Sequence, residues 1–153
     1  MRVLFLTSPH ADYGEALLVR GLTTVLGDKN VDVYPHKPTY FGTLTHTYSL
    51  NSVPHLTDHQ GHTAAHAWMK PIDGIPTTTE SVLDRLEKKQ YDLLVFGSCR
   101  LGVWRAYEYF KRNTRQLPPT IITDHEDDQK VYIPSAVDVG SPVFFKRELL
   151  APF

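Results

Sequence analysis

Three groups of residues in this 153-residue chain have types and spacings that could do chemistry. The first is a histidine run. Five of the eight histidines fall between His46 and His66, and His55, His59, His62 and His66 are spaced 4, 3 and 4 apart. On a helix all four share one face. Imidazoles four residues apart on a helix can chelate zinc, which makes His55, His59 and His62 candidate ligands, with Asp58 beside them. No cysteine joins them, and the plainer reading is a polar loop with solvent-facing histidines. Such a cluster titrates near neutral pH, since an unperturbed histidine sits at about 6.5. The second group is Gly97-Ser98-Cys99-Arg100. The planar fork of Arg100 suits a phosphate or carboxylate. Ser98 is a poor nucleophile candidate, because Gly97-Ser98-Cys99-Arg100-Leu101-Gly102 departs from G-x-S-x-G. Cys99 is placed to cap the helix that follows. The third group is Asp124-His125-Glu126-Asp127-Asp128, whose oxygens could hold a divalent cation or simply face water.

These groups need elements to position them. Arg2 to Thr7 reads as a short strand covered on both faces: Val3 to Leu6 is uninterrupted apolar, and Ser8-Pro9 bounds the run. A helix should run from about Tyr13 to Leu26, with Leu18, Leu22, Val25 and Leu26 as its buried stripe and Gly27 as its stop. Val31 to Tyr34 reads as a second strand ended by Pro35. From His36 to Pro76 no period is sustained, so residues 36–76 form a long irregular insert, with a short helix conceivable at Thr57–Met69. Thr77-x-x-Glu80 matches a capping box opening a helix with Val82, Leu83 and Leu86 inward and Arg85, Glu87, Lys88 and Lys89 outward. Tyr91 to Phe96 is a third strand. Val103, Trp104, Tyr107 and Phe110 mark a helix closed before Pro118-Pro119. Thr120 to Thr123 and Val143 to Phe145 supply two more strands.

This alternation predicts an α/β fold, a Rossmann-like three-layer domain with a mostly parallel sheet, occupying residues 1–153 as one unit. Ligands bind such sheets beyond the carboxyl ends of the strands. His10, Ser98, Arg100, Asp124, Glu126 and Asp127 should therefore meet at one edge as the candidate ligand site. The first loop carries one glycine, Gly14, where a dinucleotide fingerprint needs three, and no P-loop occurs. The third strand ends in Gly97-Ser98, not in the aspartate of a phospho-acceptor receiver.

Composition excludes several classes of function. The 16 Lys+Arg against 17 Asp+Glu leave no basic excess for nucleic acid. No apolar run approaches the ~20 residues of a membrane helix. MRVLFLTSPH has too short an apolar core for a secretory signal. A lone cysteine, Cys99, forms no internal disulfide, and a reducing, cytoplasmic setting is the expectation.

Asp124-x-Glu126-Asp127-Asp128, followed by Phe144-Phe145-Lys146-Arg147-Glu148-Leu149, resembles a pattern in spore-maturation-type glycosyltransferase-like proteins. The opening strand, Tyr34-Pro35 and Tyr40-Phe41-Gly42 are similar as well. His125 stands where that family commonly has glycine. The resemblance implies the N-terminal, acceptor-side half of a two-domain GT-B fold, not competent for sugar transfer alone. Its partner would be a C-terminal nucleotide-sugar-binding domain or a partner protein. No cofactor is implied, and the acidic loop would be structural or acceptor-facing, with Lys146 and Arg147 paired to its carboxylates. A stand-alone, non-catalytic ligand- or metal-binding module using the histidine-rich insert, with zinc on the cluster, is the alternative. A small hydrolase or transferase using the same sheet edge is the remaining expectation.

Overall fold

The computed structural model describes residues 1–8, 13–35, 77–124 and 143–146. Its elements run β1 (Val3–Leu6), α1 (Tyr13–Leu26), a short 3-10 turn (Asp28–Asn30), β2 (Val31–Tyr34), α2 (Thr79–Glu87), β3 (Leu93–Phe96), α3 (Leu101–Asn113), β4 (Thr120–Asp124) and β5 (Val143–Lys146). The five strands form one sheet in the order β2-β1-β3-β4-β5, and every pairing is parallel. The fold is therefore α/β and Rossmann-like.

Alternation along β1 explains its unbroken apolar sequence. Val3 and Phe5 join Val31, Val33 and Val95 in a cluster completed by Ala16 and Val19 of α1. Leu4 and Leu6 point the other way, into a cluster with Leu94, Phe96 and Ile122 and with residues of α2 and α3. Helices cover both faces, so β1 can expose no polar side chain without burying it. On the α3 side the Phe96 ring lies 4.8 Å from Trp104 and 5.1 Å from Tyr107, while Tyr34 meets Phe110 edge-on at 4.9 Å. Full burial of a side chain the size of Phe96 or Phe110 contributes roughly 1.5–3 kcal/mol.

The helices differ from the sequence reading in instructive ways. In α1 the buried residues are Glu15, Ala16, Val19 and Thr23; Leu18, Leu22 and Leu26 are half-buried, and Val25 is 81% exposed. The buried line runs through Ala16 and Val19, with Leu18, Leu22 and Leu26 packed at its flank. Gly27, at φ 86°, ends α1 with its N–H on the Thr23 carbonyl at 2.8 Å, in a conformation that favours glycine. The α2 box is closed one residue later than the sequence predicts. Thr78, not Thr77, is the cap, and Ser81, not Glu80, answers it, with hydrogen bonds of 3.2 and 3.0 Å. Thr77 is buried, and the Thr79 hydroxyl is engaged by Tyr34 Oη at 2.9 Å, which leaves Thr78 for the cap. Cys99 is buried but does not cap α3; that position is held by Arg100.

Arg85 does not stay on the wet face of α2. It turns inward to Asp32 of β2, which also accepts from Arg2 Nε at 3.2 Å and Tyr91 Oη at 2.7 Å. Burial alone would lower the Arg85 pKa, but hydrogen bonds to Asp32 and Tyr91 and the attraction of Asp32 outweigh it and leave it raised. Burial first, and then the Asp32 charge, push the Tyr91 hydroxyl above its ordinary range. This network ties the starts of β1 and β3 to β2 and α2.

Gly97 continues the ladder past β3, donating to the Leu6 carbonyl at 2.8 Å. A Cβ here would lie 2.6 Å from the Phe5 ring and 2.9 Å from the Leu6 oxygen. The ring is fully buried and the oxygen is backbone, so neither gives way cheaply. Gly97→Ala should lower stability by about 2 kcal/mol in urea melts. An unchanged midpoint would show that Phe5 repacks freely.

Candidate functional site

Parallel pairing carries every strand's carboxyl end to one edge. Leu6 is in register with both Tyr34 and Phe96, Phe96 with Ile122, and Asp124 with Lys146. The chain therefore delivers Thr7-Ser8, Gly97-Ser98, Asp124 and Lys146 to the same side. Between β1 and β3 the connections diverge: α1 packs on one face of the sheet and α3 on the other. This is the topological switch point, where an open α/β sheet forms its ligand crevice.

The side chains gathered at the switch point are polar yet buried. Thr7, Ser8, Glu15, Ser98 and Asp124 are all fully inaccessible. Glu15, in the first turn of α1, folds back on the end of β1. It accepts from the Ser8 N–H at 3.1 Å and from the Thr7 hydroxyl, which holds the turn leaving the strand. A carboxyl at this place also suits the positive end of the helix dipole. On the β4 side, the Thr123 hydroxyl donates to the Phe96 carbonyl at 2.6 Å and pins the start of the Gly97-Ser98 turn. Ser98 Oγ makes no hydrogen bond.

Of the sequence-derived ligand residues, three lie among the described ones. Ser98 and Arg100 share the β3–α3 turn, Arg100 being the half-buried N-cap of α3. Asp124 ends β4, fully buried and not part of a solvated loop. Ser98 and Asp124 each stand two residues past the Phe96–Ile122 pair, so the register brings their backbones to adjacent strand ends. His10, Glu126 and Asp127 lie outside the described residues. So do His55, His59 and His62, the zinc reading, the Thr57–Met69 helix and the 36–76 insert. Among the described residues no group of three His, Cys, Asp or Glu could hold a metal ion, and no helix is long and apolar enough to cross a membrane.

No family model, curated protein or solved structure matches the chain. What this edge does must therefore be argued from its own chemistry, since a fold of this class hosts many functions.

Glu15 is the residue that sequence reasoning missed. Its signal was present: an acidic residue in the first turn of a helix, eight positions after a strand-ending threonine. Two clefts, of about 390 and 300 Å³, lie at the opposite end of the sheet and share the wall Gln116–Pro119. The larger takes Lys111 and Arg115 from the end of α3 and the segment after it, where cations suit the negative end of a helix. Neither cleft approaches the switch point.

Proposed function

We propose that this chain is a ligand-binding α/β domain that takes its ligand at the β1/β3 switch point, as the acceptor-side half of a glycosyltransferase-like protein of the GT-B type. The observation that carries the reading is the buried polar floor at that point: Thr7, Ser8, Glu15, Ser98 and Asp124, gathered at the carboxyl edge of an all-parallel sheet. Buried polar groups cost stability unless they are paired. The Asp124-x-Glu126-Asp127-Asp128 and Phe144-Phe145-Lys146-Arg147-Glu148-Leu149 segments give the reading its family direction, and the sugar donor is assigned to a separate nucleotide-sugar-binding domain or partner protein.

In this reading Arg100 faces the acceptor and the floor residues shape its seat. Transfer is tested with the native polypeptide isolated from its own cells, supplied with nucleotide sugars. Arg100→Ala should lower transfer at least ~10-fold, the loss of one charged hydrogen bond. Its circular dichroism should match the parent's, which separates lost transfer from lost fold. Transfer that is unaffected by the substitution would remove Arg100 from the site. The absence of any transfer by the native polypeptide would remove the glycosyltransferase reading itself.

A further inference from the structure

We propose that the ligand of this edge presents a phosphate group to the start of α3, received by the Ser98 hydroxyl and the N–H groups of Leu101 and Gly102. The proposal rests on the switch-point crevice being the ligand site and names the chemistry that site takes.

The first N–H groups of a helix have no partner within it and are normally met by a side-chain acceptor at the cap. In α3 that position is Arg100, a donor-only side chain, and no side-chain cap bond is made. The 13-residue helix therefore presents its first amides, backed by the helix dipole, to an outside acceptor. Gly102 stands in this first turn and has no side chain to hold a ligand away from the backbone.

The second observation is independent of the helix. Ser98 is fully buried, and its hydroxyl has no hydrogen-bond partner, alone in this among the described side chains. A buried hydroxyl without a partner calls for an explanation, and an absent ligand oxygen is one. Ser98 stands two residues before the Arg100 cap, in the turn that leads into α3. One hydroxyl and two amides converging from a turn and a helix start match the several oxygens of a tetrahedral anion better than the two of a carboxylate. The Arg100 guanidinium adds positive charge at the same turn.

The test is a set of amide ¹H–¹⁵N titrations on the whole chain at constant ionic strength, with three probes: inorganic phosphate, glucose 6-phosphate and glucose. Saturable shifts at Leu101 and Gly102 are expected with both phosphates and not with glucose, and a tighter response to glucose 6-phosphate would assign the anion to a sugar phosphate and not to free phosphate. Ser98→Ala should weaken phosphate binding about tenfold while raising the thermal midpoint, because an unpartnered buried hydroxyl is removed. Ser98→Thr, which keeps the hydroxyl, should retain most of the binding. Equal phosphate affinity in Ser98→Ala and the parent would overturn the assignment, as would shifts with glucose alone, which would leave the crevice as a ligand site without an anion subsite. No response at residues 97–102 to any probe would overturn both the anion subsite and the crevice.

Discussion

Replacing Asp32 by alanine should destabilise the protein by about 3 kcal/mol and change how stability depends on alkaline pH. The carboxylate is 12% exposed and holds two guanidiniums and a phenol. Removing one partner of a buried ion pair typically costs about 3–5 kcal/mol, because the remaining charges lose their compensation. The lower end applies here, since Arg2 and Arg85 are each 29% exposed and recover some hydration. Tyr91 supplies the pH signature. Its folded pKa is raised above the ordinary value of 10 by burial and then by Asp32. Below pH 10 both folded and unfolded chains keep this proton, so the full contribution to stability is present. As pH rises past 10 the unfolded chain releases it first, and stability falls. Without Asp32 the burial part of the shift remains and the charge part goes, so the fall stops at a lower pH. Tyr107, raised by burial and then by Glu108, contributes a decline of the same sign that Asp32→Ala leaves intact. Urea melts at a series of pH values from 7 upward, on the parent and on Asp32→Ala, measure both effects. A fall that levels off at the same pH in both would mean that Asp32 does not act on Tyr91.

Why Arg85 escapes a sequence reading is physical. Its partner lies 53 residues away, on a strand that pairs with neither β3 nor β4. The helical period therefore assigns Arg85 to the water-facing side with Glu87 and Lys88. The strands were legible for the opposite reason. A strand covered on both faces favours apolar residues along its length, so Val3–Leu6 and Leu93–Phe96 announce themselves locally. Helix α3 was legible because Val103, Tyr107 and Phe110 are large and repeat at the helical period. Helix α1 was half legible: its span was clear, but the line that meets the sheet runs through Ala16 and Val19, and Val25 faces away from it. At the site, the turn 97–100 and Asp124 could be placed on one edge as soon as the strands were parallel. The unpartnered state of Ser98 could not, because a missing bond leaves no mark in a sequence.

Glu15 joins the hidden contacts to the site, and its replacement separates packing from hydrogen bonding. Glu15→Ala should cost about 4 kcal/mol. The side chain is among the largest fully buried ones, so its removal leaves a cavity, and the Ser8 N–H and Thr7 hydroxyl lose an acceptor in the dry interior. Glu15→Gln keeps the volume and one carbonyl oxygen for the Ser8 amide. The Thr7 hydroxyl, which also reaches the Ser8 carbonyl at 3.3 Å, can then accept from the new amide group. The glutamine variant should therefore recover most of the loss, to within about 1 kcal/mol of the parent. The same turn forms one wall of the switch-point crevice, opposite Ser98. In Glu15→Ala the Thr7-Ser8 turn is no longer held to α1, so any ligand response at Leu101 and Gly102 should weaken even under conditions where the variant remains folded. Denaturant melts and amide titrations on the two variants together decide the matter. If glutamine is as damaging as alanine, the charge of Glu15 and not its shape holds the turn. If alanine is as stable as the parent, the floor of the crevice is held by other residues and Glu15 has no part in it.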